Sequence, residues 1–276
     1  MSKVACYVFF DLETSGLPHL ERNKTKITEL CFVAVLRSDL EKSSDGVKVV
    51  SKLSLLFNPE RKIQAKAAEI TGLTNNILQN APSFKEKTNT ILSFLDELPK
   101  PICLVAHNGD IFDYKILLAE FSDISMKLPT DLLCVDSLKA FKSILNNKNN
   151  FNSSHIVNDS LTDEDWSELN ISAEEWDSID SLCSSFFEIP LGKSSTPQKQ
   201  IKRYASKMKN QGYNLQTLYQ QLLNKDVVDA HRAESDCMML LECVACVKEF
   251  PEWVDGNCKY LHAIEPLDRK NYEKFT

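Results

Sequence analysis

Several features that mark other classes of protein are missing from this sequence of 276 residues. No apolar run approaches the ~18 residues that a membrane-spanning helix needs. The first residues do not form a secretion signal, and the polar C-terminus has no hydrophobic anchor. We therefore expect a soluble protein without a membrane segment, located in the cytoplasm, the nucleus or both.

A disulfide framework is also missing. The nine cysteines are odd in number and their spacing fits no pairing pattern, which indicates small core residues in a reducing compartment. Cys243 and Cys246 have the C-x-x-C spacing that can bind zinc or support redox chemistry. Because no second pair lies nearby, we interpret these two cysteines as packing residues as well.

Basic residues are absent from one long stretch of the chain. Residues 149–192 contain ten acidic side chains and no Lys or Arg. Removing these ten charges from the net charge of −7 leaves +3, so the rest of the chain is mildly basic and compatible with local phosphate contacts. The polar composition predicts an acidic insertion at about 146–197 within a single domain that spans residues 1–276.

The apolar residues that are present, 43% of the chain with Tyr and Trp included, form short runs typical of an α/β protein. Apolar runs predict strands over 4–10, 26–36, 47–57, 102–106 and 132–135. Apolar residues at helical spacing predict helices over 84–98, 114–121, 137–145, 215–223 and 233–250. Strands in a meander followed by alternating helices and strands predict a mixed five-stranded sheet covered by helices.

Acidic residues follow the first strand directly, in the order Asp11-Leu12-Glu13. Residues two apart on a strand project from the same face, so both carboxylates are expected on one side of a sheet end. A single D-x-E is common in surface loops. Here it precedes 14–18, a turn that lets the backbone approach a ligand.

A second polar turn follows the strand at 102–106 and leads into a helix. Asp110 and Asp113 are both candidates for the functional acid of this turn. Asp113 lies between Phe112 and Tyr114, whereas Asp110 is better suited to cap the helix, a role that Asp fills readily. We therefore predict that Asp113 is the functional acid.

His231 and Asp236 form a third element near the start of the helix predicted at 233–250. Residues five apart lie ~140° apart around one helix, so the two side chains would not face one site from within it. We expect His231 just before the helix and Asp236 on its face. Histidine titrates near neutral pH and can accept a proton from an attacking water.

Carboxylates from three separate segments suit a hydrolase that uses two metal ions. Mg²⁺ prefers oxygen ligands, and two ions ~3.5–4 Å apart can stabilise both the attacking and leaving oxygens of a phosphodiester. The predicted cofactor is therefore two Mg²⁺ ions for each site, with Mn²⁺ as a possible substitute.

The motifs at 9–18, 107–113 and 231–236 resemble those of the DEDDh exonucleases, and 70–73 and 134–137 resemble the three-prime repair branch in particular. The resemblance covers about 4–145 and 200–250. It implies an RNase-H-like fold, 3′→5′ hydrolysis of single- or double-stranded DNA to nucleoside 5′-monophosphates, and a homodimer, for which we predict pairing through the third strand.

The resemblance also implies that Asp11, Glu13, Asp113 and Asp236 bind metal and that His231 is the base. Substrate contacts are expected from Glu13, Thr14, Leu17, Ile70, His107, Asn108 and Phe112.

Alternative functions stay open where the residues do not separate them. An RNA-trimming exonuclease would have the same metal site, and only the resemblance favours DNA. A non-catalytic binder of nucleic-acid ends would not need a complete set of metal ligands.

The acidic insertion has no counterpart in the family, so it could repel phosphates, dock a partner or be a passive loop. Basic residues at Lys199, Lys202, Arg203, Lys207 and Lys209 could contact DNA or form a solvated helix face.

Overall fold

A six-stranded mixed sheet lies at the centre of the computed structural model, which describes residues 3–42, 46–150, 212–227 and 231–269, with the backbone alone for 147–150. Its strands are β1 (Cys6–Thr14), β2 (Ile27–Leu36), β3 (Val49–Leu56), β4 (Ile102–Ala106), β5 (Leu133–Asp136) and β6 (Lys259–Tyr260). Their order is β3-β2-β1-β4-β5-β6. The five predicted strands are confirmed. The sixth was missed because two exposed residues have no apolar pattern.

The direction of the strands follows from their connections. β1, β2 and β3 form the antiparallel meander, and β4 and β5 run parallel to β1. Parallel neighbours require a crossover, which helices provide. The carboxyl ends of β1, β4 and β5 therefore lie at one edge of the sheet.

Helices cover both faces of this sheet. They are α1 (Arg37–Glu41), α2 (Ala65–Thr71), α3 (Asn75–Leu78), α4 (Phe84–Asp96), α5 (Asp113–Asp123), α6 (Ser137–Asn150), α7 (Leu215–Leu223), α8 (Ala233–Ala245) and α9 (Phe250–Asn257). The single helix predicted over 233–250 is wrong, because α8 ends at Ala245 and α9 starts with Pro251 in its first turn. No helix in the described ranges combines the length and apolar character needed to cross a membrane.

Alternation along β1 separates the core into two layers. Tyr7 and Phe9 pack with α6, α7, α8 and α9, whereas Val8 and Phe10 pack with α4 and α5. Asp11 and Glu13 continue the Tyr7 and Phe9 side of the strand. The two carboxylates therefore lie on the face that α8 covers. The predicted insertion at about 146–197 and the five basic residues that follow it lie outside the described residues, except for the end of α6.

Candidate active site

The end of β1 and the first turn of α8 form a cluster of carboxylates. Asp11 and Glu13 come from β1 and Asp236 from α8. One carboxylate oxygen from each of the three lies within 4.8 Å of the other two. The distance between these segments in sequence is large, but the packing of α8 on β1 joins them.

Asp113 adjoins this cluster from the start of α5. Its side chain is buried and hydrogen-bonded to the backbone of Leu12, the residue between Asp11 and Glu13. Its charge also raises the pKa of both of these acids. Three segments therefore contribute four acids to one place, as the motifs predict.

Asp110 lies outside the cluster. Its carboxylate forms ion pairs with Lys139 at 2.7 Å and Lys259 at 3.0 Å. Although burial opposes the shift, these two cations lower its pKa below the ordinary value. The expectation that Asp110 caps the helix is wrong, because Phe112 occupies the N-cap position and Asp110 points to the lysines.

The clustered acids have raised pKa values because burial disfavours their charged forms. Burial raises the pKa of Asp113 to about 8 and that of Asp236 to about 7, the latter against a hydrogen bond from the backbone of His231. Burial, followed by the charge of Asp236, also raises the pKa of Asp11 and Glu13. Four acids, of which Asp113 is buried and the other three are partly buried, offer only oxygen atoms as donors and fit hard divalent cations such as Mg²⁺ and Mn²⁺.

His231 precedes α8, as expected, and has a left-handed backbone with φ of 66°. Its backbone N–H donates to Oδ2 of Asp236 at 3.1 Å, which joins the histidine to a predicted metal ligand. The amide nitrogen of Gln216 lies 3.3 Å from Nε2 of His231. An amide nitrogen only donates, so this contact is a hydrogen bond in the tautomer whose Nε2 accepts.

The turn after Glu13 contacts the segment that leads into α2. Thr14 is buried and its hydroxyl donates to the carbonyl of Gly16 at 3.0 Å. The backbone N–H of Gln64 donates to the carbonyl of Ser15 at 2.8 Å. Leu17, Ile70 and Phe112 are partly exposed. Their substrate contacts stay a prediction.

His107 and Asn108 have internal partners. The Nδ1 of His107 lies 2.9 Å from Oγ of Ser137, and its Nε2 lies 2.9 Å from the carbonyl of Tyr213. Burial lowers the pKa of His107 to about 4, so its ring is neutral at physiological pH. The backbone N–H of Asn108 donates to Asp136. The ring of His107 thus connects β4 to the segment before α7, and its predicted substrate contact stays untested.

Residues beyond the three motifs also shape the site. Asp136 accepts backbone hydrogen bonds from Asn108, Asp110 and Leu138, which holds the turn after β4. Glu29 is buried in β2 and pairs with Arg232, the neighbour of His231. Glu29 had a signal in the sequence, since it is the one charged residue in the apolar run of β2. Gln216 had none.

Comparison with known proteins identifies the family of this chain. Residues 8–164 match the family model described as Exonuclease, which ends before the third motif. The chain is 29% identical to human three-prime repair exonuclease 1 over 275 residues, covering 94% of this chain and 69% of that protein. It is 40% identical to human three prime repair exonuclease 2 over 148 residues, covering 50% of this chain and 61% of that protein, which is less than two thirds of its length.

The fold also has a counterpart among solved structures. E. coli exonuclease I, solved in complex with single-stranded DNA and a zinc ion, superposes with a TM-score of 0.55 at 14% identity. The match covers 92% of this chain and 43% of that one. At this identity the likeness concerns the fold alone. It confirms the predicted RNase-H-like sheet flanked by helices.

Proposed function

Since this chain belongs to the exonuclease family, and to the class of the three-prime repair 3′→5′ exodeoxyribonucleases, we propose that it removes nucleoside 5′-monophosphates from DNA 3′ ends by two-metal hydrolysis. The observation that carries the proposal is the convergence of Asp11, Glu13, Asp113 and Asp236 beside His231. These five residues come from three segments that are far apart in sequence.

The four carboxylates would hold the two Mg²⁺ ions, with Mn²⁺ as a substitute. Bound in this way, the ions would stabilise the attacking and leaving oxygens of the phosphodiester. The acids are buried or partly buried on the sheet face that α8 covers, where bulk water screens their charges less than at the open surface. Mutual repulsion between the carboxylates supports the proposal, because bound cations would relieve it.

His231 would act as the general base. Its Nε2 can take a proton from the attacking water when that water replaces the amide of Gln216, which lies 3.3 Å from Nε2 in the structure. The hydrogen bond from its backbone to Asp236 keeps the histidine next to the metal ligands. An imidazole that is neutral at working pH is in the form that a base requires.

The partly exposed apolar side chains that the motifs single out would hold the last nucleotides. Leu17 follows the D-x-E turn, Ile70 belongs to α2, and Phe112 precedes Asp113. Apolar and aromatic side chains can wedge or stack bases without reading their identity. Glu13, Thr14, His107 and Asn108 complete the proposed substrate contacts. DNA of any sequence would therefore be cut.

We propose one exonuclease domain for the whole chain. α7 and α8, which follow the undescribed stretch, share a core cluster with β1, β2 and α6, which precede it. A homodimer through β3 is part of the proposal. The eight cysteines of the described ranges are free thiols, which fits the cytoplasm or the nucleus.

A time course on labelled oligonucleotides tests the function. Single-stranded DNA labelled at its 5′ end should shorten one nucleotide at a time with Mg²⁺, and EDTA should stop the reaction. DNA labelled at the 3′ end should release labelled mononucleotide at once. Faster digestion of a matched RNA would favour an RNA-trimming enzyme, and binding without any cleavage would favour an end-binding module.

A further inference from the structure

An acidic side chain is buried in the middle layer of the molecule, directly beside the proposed metal site. Glu29 is 2% exposed and lies opposite Glu13 in the register of β1 and β2. Its neighbours along β2 are apolar or neutral. A buried carboxylate at this position needs a partner, because an unpaired charge in the interior costs several kcal/mol.

Arg232 is that partner. Its Nε donates to Oε2 of Glu29 and its Nη2 donates to Oε1, each at 2.9 Å. This is the bidentate geometry that combines strength with a defined orientation. The backbone N–H of Ala233 also lies 3.3 Å from Oε2 of Glu29. Two consecutive residues after His231 are thus held to β2 by one carboxylate.

The same two residues begin the helix that carries Asp236. Arg232 occupies the N-cap of α8 and has no capping hydrogen bond from its own side chain. Its carbonyl accepts from the backbone N–H of Asp236 at 3.0 Å. Arg232 therefore lies between the proposed base and a proposed metal ligand, and its guanidinium connects both to the strand that pairs with the D-x-E strand.

We propose that Glu29 and Arg232 form a positioning pair, which fixes the turn of His231 against β2 and neutralises the acid behind Glu13. The inference rests on the proposed function. Without Arg232, Glu29 would add a fifth negative charge behind the four acids, and the His231 turn would lose its attachment. Residues that hold ligands in place in this way typically contribute 10–100-fold to metal affinity or activity.

Substitution of Arg232 tests the proposal by separating turnover from stability. Arg232→Met should lower kcat on single-stranded DNA by about 10–100-fold while KM stays within about threefold. Binding of Mg²⁺ to the protein without DNA, measured by calorimetry, should weaken. Arg232→Lys retains the positive charge but cannot form the two parallel hydrogen bonds of a guanidinium, so it should recover part of the lost kcat. The double variant Glu29→Gln with Arg232→Met should keep the lowered kcat, because the turn of His231 is still not attached to β2.

Arg37→Met is the matched control. Arg37 also forms a bidentate pair, with Asp255 at 2.7 and 2.8 Å, but it follows the opposite end of β2. Arg37 lies eight positions after Glu29, about 26 Å along the direction of the strand. This variant should lower the melting temperature and leave kcat unchanged.

The outcomes separate the inference from the proposed function. Wild-type kcat in a folded Arg232→Met protein, or an equal loss of kcat in Arg37→Met, would overturn the positioning role. If Arg232→Met does not fold, Arg232→Lys takes its place in the test. A loss of at least about fivefold in the kcat of Arg232→Lys would then support the positioning role, and an unchanged kcat would reject it. A wild-type protein that cleaves no DNA would instead reject the proposed function. Weaker Mg²⁺ binding by the Arg232 variants would then still support the pair, and equal binding would reject it.

Discussion

Asp110 and Asp113 are three residues apart and carry the same side chain, yet their surroundings are opposite in charge. Asp113 faces other acids and has a pKa raised by burial to about 8. Asp110 lies between Lys139 and Lys259, which lower its pKa against the effect of burial. The first environment needs an added cation, whereas the second already contains two.

This difference predicts unequal effects of removing each charge. Asp113→Asn should nearly abolish hydrolysis because it deletes a proposed metal ligand. Asp110→Asn should retain activity within about tenfold, because it only weakens ion pairs that are partly exposed to solvent. Initial rates on DNA with saturating Mg²⁺ measure both. An inactive Asp110→Asn protein beside an active Asp113→Asn protein would reverse the assignment.

His231→Ala should separate chemistry from binding. General base catalysis contributes about 10²–10⁴-fold, so single-turnover rates should fall by at least about a hundredfold. The affinity for a DNA end in Ca²⁺ should change little, because the backbone hydrogen bond from residue 231 to Asp236 does not need the imidazole. Gln216→Ala is the companion variant, and a much smaller loss is expected from it. Strong loss of affinity with a normal rate would assign His231 to binding.

The raised pKa values predict how stability varies with pH in the metal-free protein. Asp113 and Asp236 have folded-state pKa values of about 8 and about 7, above their ordinary 3.8. The folded protein then keeps protons that the unfolded chain releases, so these groups contribute full stability below about pH 4 and lose it as pH rises through 7 and 8. Thermal unfolding should show decreasing stability from about pH 5 to about pH 8.

Mg²⁺ should reverse this trend, with a larger increase in melting temperature at about pH 8 than at about pH 6. The protein with both Asp113→Asn and Asp236→Asn is the control, since neither amide titrates. Its pH profile should be flatter than that of the wild type. Profiles of equal slope would contradict the assignment of the raised pKa values to these two acids.

At the scale of elements, the turn between β4 and α5 is closely packed around Gly109. A Cβ on Gly109 would lie 2.6 Å from Cβ of Ala106 and 2.7 Å from Cε2 of Tyr114. The ring of Tyr114 cannot move aside, because its hydroxyl accepts from Ala106 at 2.9 Å and donates to Val135 at 2.7 Å. Only glycine therefore fits at position 109. This close approach fixes the course of the backbone between β4 and Asp113.

Gly109→Ala should therefore destabilise the protein by about 1–3 kcal/mol, the usual cost of overpacking. Because Asp113 begins the helix that follows, kcat should also fall. Gly256→Ala is the matched control, since its Cβ would contact nothing within 4 Å. There the same substitution in a helix should be neutral or stabilise by up to about 1 kcal/mol. Chemical denaturation measures both, and equal effects would argue against the close approach at Gly109.

At the scale of the molecule, β3 is the edge strand of the sheet, with β2 as its one strand neighbour in the described ranges. An exposed edge invites pairing with another strand, and a two-fold axis would extend the sheet across two copies. Val50 is 39% exposed on this strand, whereas Lys52 pairs with Glu234 at the start of α8. The edge is thus only partly protected by charge.

We predict a homodimer through β3, with light scattering giving twice the chain mass of 31.3 kDa at micromolar concentration. Val50→Lys should shift the mass towards the monomer because it adds a like charge from both copies to the edge. Ile77→Lys, which changes a more exposed apolar residue on α3, should leave the dimer intact. A wild-type monomer, or a dimer unaffected by Val50→Lys, would place the interface elsewhere or remove it.

Local patterns determined much of this protein. The apolar runs predicted the five longer strands, because burial on both faces of β1, β2, β4 and β5 leaves a continuous signal, whereas β3 alternates between partly buried and exposed residues. The D-x-E, 107–113 and 231–236 motifs identified all four acids that the fold brings together. The position of His231 outside the helix also followed from helical geometry. These features depend on residues that are close in sequence, where spacing alone defines direction.

Only the tertiary structure decided which charges meet. Asp110 became an ion-pair residue because β6, more than a hundred residues later, brings Lys259 beside it. Glu29 and Arg232 are 203 residues apart and meet because α8 packs across β1 and β2. Electrostatic partners are set by distance in space, and distance in space depends on the whole fold rather than on local spacing.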